Sequence, residues 1–233
     1  MHHVVLDRWS RGASAMHRRD PRVKIIALIV FLLVLATSRH ALAFLALGLF
    51  ALLCAALLWA RIPLASALTR AGIVLPFTLA FAGVTWIAGD PARATALVIK
   101  SYLSALAMLI VVATTPLPVL LRGAEMLGAP HFLVMVAQFL YRYLFVLSEE
   151  AQHMRKAAAS RGGSFRSAAG AIAVLFARSY RQAADIHNAM LARGFQGHFR
   201  PLATPHFHAA DVAFLILASA APVILRAAME RIA

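Results

Sequence analysis

Leu42–Ala60 reads LAFLALGLFALLCAALLWA, nineteen consecutive positions without a charged side chain. At ~1.5 Å per residue a helix of that length reaches about 28 Å, close to the ~30 Å hydrocarbon core of a bilayer. Apolar on every side, the stretch predicts a membrane-crossing helix rather than the surface helix of a soluble domain. Working outward, Val23–Ser38, Ala71–Ala88, Ala94–Thr115 and Ala209–Leu225 predict four more spans. They are set apart by Ser38-Arg39-His40, Arg61-Ile62-Pro63, Gly89-Asp90-Pro91 and a long middle region. The first and last spans fall short of the ~20 residues of a perpendicular crossing. Pro76 and Pro222 lie inside spans, where neighbouring helices tolerate them or they kink the helix.

Composition points the same way. Of 233 residues, 62% are hydrophobic and the mean hydropathy is +0.78, against the ~45–50% apolar share of soluble domains. Lys and Arg number 23 and Asp and Glu 9, giving a pI near 11.5. No zinc-ligand spacing, aromatic ribonucleoprotein motif or basic tail accompanies that charge, so nucleic acid is not the expected partner. The basic residues fall between the apolar runs, as expected for the cytoplasmic side of a bilayer. The fold class expected is an all-α polytopic membrane protein.

Phe132–Leu147 tempts a sixth span but carries Gln138 and Arg142. With this segment kept inside, the leader, the Arg61–Arg70 loop and the stretch from Arg122 to Arg200 place 18 of the 23 basic residues on one side, leaving Arg39, Arg93, Lys100, Arg226 and Arg231 outside. The positive-inside rule therefore predicts five spans with a cytoplasmic amino terminus. The segments are 1–118, a leader and four spans; 119–208, cytoplasmic; and 209–233, the last span. Asp20 is placed to cap the first helix, with Pro21 in its first turn. The polar start Met1–Lys24 lacks a small-residue cleavage site and is not read as a removable signal.

Several chemistries lack their residues. Cys54 is the sole cysteine, which rules out an internal disulfide. Lys24, Lys100 and Lys156 are the only lysines and none follows a glycine, so there is no phosphate-binding loop. Asp211 lies at a span end and Lys100 near one, which leaves the spans without a relay of ionisable groups. His2-His3 and His206-Phe207-His208 lack a His-Glu-x-x-His pattern or a cysteine pair. Glu149-Glu150 with His153 reads as a charged helix turn with an i,i+4 pair. No cofactor, resident metal or catalytic centre is expected.

The middle segment contains a repeat. Stepping back from Arg161 by three and four passes Ala158, Met154, Ala151, Leu147 and Leu144, one apolar stripe on a helix. Stepping back from Arg193 passes Met190, Ile186, Ala183 and Ser179, with Phe176 and Ile172 beyond, while Arg178, Arg181, Asp185 and Asn188 take the opposite face. At an offset of 32, Ala151 matches Ala183, Met154 matches Ile186, Ala157 matches Ala189, and Arg161-Gly162 matches Arg193-Gly194. Glycine accepts the left-handed conformation that ends a helix, and a small residue before each arginine, Ser160 or Ala192, admits a close partner backbone. A lone arginine in a last helical turn is explained by the helix dipole or by lipid phosphate. Two with the same surroundings favour a paired docking device, for which the planar guanidinium fork is suited.

The chain resembles the transmembrane T component of energy-coupling-factor transporters, in particular the cobalt-type CbiQ. The likeness is carried by Leu6-Asp7-Arg8-Trp9, Asp20-Pro21-Arg22-Val23-Lys24, Leu127-Gly128-Ala129-Pro130, Tyr141-Arg142-Tyr143, Ser160-Arg161-Gly162 and Ala192-Arg193-Gly194-Phe195. It covers nearly the whole chain, though the first arginine motif has Ser where the family favours Ala. The resemblance implies two long cytoplasmic coupling helices whose tips, at Ser160, Arg161, Gly162 and at Ala192, Arg193, Gly194, dock into two ATPase subunits. Ala151, Met154, Ala158, Ala183, Ile186 and Met190 then pack the helices, and the spans hold a separate substrate-capturing membrane subunit, metal-binding if the cobalt type holds. The expected function is non-catalytic coupling within an ATP-driven importer of the cytoplasmic membrane. The competing expectation is an autonomous membrane carrier whose arginines bind lipid.

Overall fold

The structure is a computed structural model and describes residues 9, 12, 14–38, 42–160, 162, 165–197 and 208–232. Among them the regular elements are all helical: α1 (Pro21–Thr37), α2 (Leu42–Ala60), α3 (Leu64–Ala71), a 3₁₀ turn (Gly72–Val74), α4 (Leu75–Ile87), α5 (Pro91–Thr114), α6 (Leu117–Met126), α7 (His131–Ser160), α8 (Phe165–Ala192) and α9 (Ala209–Ile232). The chain is a multi-pass α-helical membrane protein. It divides into two compact units, one running up to Leu127 and resuming at Pro205, the other Gly128–Thr204.

Helix starts follow local chemistry. Asp20 caps α1, its carboxylate accepting from Arg22 N at 2.8 Å, with Pro21 in the first turn. Asp90 does the same for α5, accepting from Arg93 N at 2.9 Å ahead of Pro91. In both, the side chain meets an amide with no partner inside the helix, and proline sits where its missing N–H costs nothing. The expected loop Arg61–Arg70 is corrected: α3 begins at Leu64, and the span expected at Ala71–Ala88 is the latter part of a longer rod through α3 and α4. Pro76 explains the 3₁₀ turn within it. Proline has no amide for the Gly72 carbonyl, and Leu75 N takes that carbonyl instead, tightening the backbone locally.

In the first unit α1, α2, α5 and α9 surround a core containing Val23, Phe31, Leu35, Leu49, Leu57, Leu103, Leu106, Ile110 and Phe214. Large apolar side chains face outward as well, among them Phe44, Phe77, Phe81, Ile87 and Leu217. Such an outer surface would be untenable in water and is normal against lipid tails. Leu64–Ile87, Pro91–Thr114, His131–Ser160 and Ala209–Met229 are long and apolar enough to cross a bilayer, and Phe44–Ala60 is a shorter apolar helix. Length and composition thus admit α7 as a crossing helix, where charge distribution argues for keeping Phe132–Leu147 on one side. The sequence boundary at 119 puts α6 with the middle segment, but α6 packs on α1 within the first unit.

Candidate docking site at two helix tips

The second unit is a pair of long helices, α7 and α8, packed on one another. The end of α8 is closed by its own backbone. Phe195 N donates to Met190 O at 3.0 Å and Gly194 N to Leu191 O at 2.9 Å, with Gly194 at φ +78°. This reciprocal pair satisfies carbonyls that the helix end leaves open and requires the left-handed residue that glycine supplies. Arg193 is the last residue before that reversal, and both it and Ala192 are exposed. At the end of α7, Gly162 takes φ +74° and its N–H meets Ala159 O at 3.3 Å, the counterpart of the Gly194 bond. Ser160 is exposed and turns its hydroxyl back to Ala157 O at 2.9 Å. Arg161 lies outside the described residues.

The packing stripes agree with the sequence near the tips and depart from it farther back. On α7, Leu147, Ala151, Met154 and Ala158 are half-buried, while Leu144 is 60% exposed. On α8, Ser179, Ile186 and Met190 are half-buried, but Ala183, Phe176 and Ile172 are exposed, the last two at 73% and 69%. Leu175 and Ala171 occupy the inward positions instead. The α8 stripe therefore continues from Ser179 in steps of four, where the sequence reading stepped by three to Phe176. Glu150 pairs with Arg178 of α8. This brings Arg178, which the sequence reading put on the outer face, to the rim of a pocket it shares with Val146, Leu147, Leu175, Ser179 and Gln182.

That crossing sets the distance between the tips. From Glu150, α7 extends ~15 Å to Ser160; from Arg178, α8 extends ~20 Å back to Phe165 and ~21 Å forward to Ala192. Five Cα steps join Ser160 to Phe165, a reach of about 19 Å, so the helices run within roughly 55° of antiparallel at an ordinary helix spacing of ~9 Å. Their carboxyl tips then stand about 30–37 Å apart. Two cationic ends so separated cannot enter one groove.

A polar corner in the first unit went unread in the sequence. Lys24 is 2% exposed, and its ammonium donates to Thr115 Oγ1 at 2.6 Å and Thr114 O at 3.1 Å. Asp211, 3% exposed, accepts from His208 N at 3.0 Å and from Asp20 N at 3.4 Å, and stands 3.7 Å from Arg19. The available signal was a lysine and an aspartate at span starts, ends where charge is cheap and attracts no notice. Among the described residues no three His, Cys, Asp or Glu side chains gather as a metal would need, and His2, His3 and His206 lie outside those residues.

Comparison with known proteins follows this geometry. The sequence profile of the family described as cobalt transport protein, CbiQ, matches residues 12–204. An uncharacterized protein of Methanocaldococcus jannaschii is 24% identical, over 91% of this chain and 82% of its own. The cobalt transport protein CbiQ of Rhodobacter capsulatus is 32% identical over 59% of each chain. The energy-coupling factor transporter transmembrane protein EcfT of Acidaminococcus fermentans is 28% identical, over 83% of this chain and 84% of its own.

Proposed function

Because the chain belongs to the CbiQ family of cobalt transport proteins, we propose that it is the non-catalytic transmembrane coupling subunit of an ATP-driven importer in the cytoplasmic membrane, with its amino terminus inside. It links two ATPase subunits to a substrate-capturing membrane subunit, and its cargo is cobalt. The observation that carries this reading is Arg193, exposed at a glycine-closed helix end, with the same residues repeated at Ser160, Arg161 and Gly162.

The spacing of the tips supports two separate grooves and hence two motor subunits. Each guanidinium offers a planar donor fork to carboxylates or carbonyls of a groove, and its charge complements the negative end of its own helix. ATP binding draws the two ATPases together, and the docked tips follow them. The crossing helices α7 and α8, rigid over their lengths, pass that displacement to the spans and to the capture subunit. ATP hydrolysis takes place on the partners, since the sequence has no phosphate-binding loop of the Gly-Lys-Ser/Thr kind.

The test is recovery of the complex from mild detergent. Arg161→Glu with Arg193→Glu is expected to release both ATPase subunits, and either change alone to release one. Retention of the pair at wild-type stoichiometry by the double variant would overturn the assignment of the tips. Cobalt uptake by the purified chain alone, driven by an ion gradient without ATP, would establish the autonomous carrier instead.

A further inference from the structure

The coupling pair α7–α8 joins the rest of the chain through two covalent leads, α6 before it and the start of α9 after it. Six consecutive residues, Arg19 to Lys24, hold both. On the entry side, α6 lies so close to Pro21 that a Cβ on Gly123 would sit 2.9 Å from Pro21 Cβ and 3.3 Å from Arg22 N. The Arg22 guanidinium reaches Met126, the last residue of α6, at 2.9 Å. Lys24 grips the Thr114–Thr115 joint from which α6 departs. On the exit side, Asp211 in the first turn of α9 closes its own helix end through His208 N while bonding Asp20 N and pairing with Arg19.

These are expensive contacts to build. Lys24, Asp20 and Asp211 are each at most 4% exposed, and a charge withdrawn from solvent is stable only while its partners stay in place. Helix packing alone would not call for three buried charges meeting at one corner. We infer that Arg19–Lys24 form a fixed anchor that clamps the entry and exit leads of the coupling pair to α1. Displacement of the arginine tips is then delivered to α5 and α9 through Lys24 and Asp211 rather than dissipated in loose connections. Asp211 and Lys24 are positioning residues in this scheme, not docking residues, and the inference rests on the coupling role proposed above.

The experiment uses the complete complex reconstituted in vesicles and reads cobalt ions taken up per ATP hydrolysed. Asp211→Ala is expected to keep the ATPase pair at wild-type stoichiometry and to keep hydrolysis, while cobalt per ATP falls about tenfold, within the ~5–150-fold span of coupling between sites. Asp211→Asn retains one acceptor for the Asp20 amide and is expected to lie between. A purely structural role would lower the yield of complex without changing that ratio in what assembles, and an unchanged ratio for Asp211→Ala overturns the anchor. Should Asp211→Ala fail to assemble, Thr115→Val decides, because it removes a Lys24 acceptor at nearly constant volume. A fall of about threefold, the worth of one hydrogen bond, supports the anchor, and no change overturns it. Absence of the ATPase pair from the wild-type complex refutes the coupling role itself and the anchor with it.

Discussion

Helix α5 has 24 residues and buries Ala94, Leu103, Leu106, Ala107, Ile110, Val111, Ala113 and Thr114. Helix α7 has 30 residues and, of these, buries Val134. The difference is one of partnership. Around α5 the bundle supplies neighbours on several sides, and what remains exposed is the surface expected to face lipid. In the second unit each long helix has the other for company along one stripe, and apolar side chains such as Leu140, Leu144, Ile172, Phe176 and Tyr180 remain 60% exposed or more. A helix held on so little of its circumference owes its order to its caps, its length and whatever else docks against it.

Substitutions in the two units should therefore differ in cost. Leu106→Ala, at a fully buried position of α5, is expected to destabilise the chain by about 2–5 kcal/mol in thermal unfolding in detergent, because the cavity it leaves has no way to collapse. Phe176→Ala on α8 removes a larger side chain and should cost under ~0.5 kcal/mol in the isolated protein. Equal losses would break the contrast. Next in size are two helix ends with one geometry and opposite residues. Arg61 closes α2 at φ +57°, with Ile62 N on Leu57 O at 3.1 Å, the bond that Phe195 makes on α8. Arg61→Gly should stabilise by about 1 kcal/mol and Gly194→Ala destabilise by about as much, since the left-handed backbone strains any residue with a Cβ. Smallest is Glu150→Gln. With Glu150 36% and Arg178 64% exposed, losing the pair should shift stability by under ~0.5 kcal/mol, a change that 1 M salt should largely mask.

The sequence made the bundle readable where local chemistry acts alone. Asp20-Pro21 and Gly89-Asp90-Pro91 begin helices, and Gly162 and Gly194 end them, because a cap is decided by a few neighbouring atoms. What stayed hidden depends on neighbours distant in sequence. Lys24 and Asp211 stand at span starts, 187 positions apart by their numbers, and nothing local tells that the fold buries both at one corner. The phase of the α8 stripe was hidden for another reason. Ala171, Ile172, Ala173, Val174, Leu175, Phe176 and Ala177 are all apolar, so a step of three and a step of four both land on a hydrophobic residue. Periodicity cannot distinguish a face packed on a sister helix from one left for another partner. The docking arginines were legible through their repetition, which needs no knowledge of packing.

The crossing at Glu150 and Arg178 divides α7 and α8 unevenly, leaving ~15 Å of α7 and ~21 Å of α8 between the pivot and the tips. As levers these have unequal throws: a swing of ~10° carries one end about 2.6 Å and the other about 3.7 Å. Two identical motors pushing on them would do different amounts of work on the two sides of the bundle. The asymmetry of the stroke would then reside in this chain, written in where each glycine halts its helix.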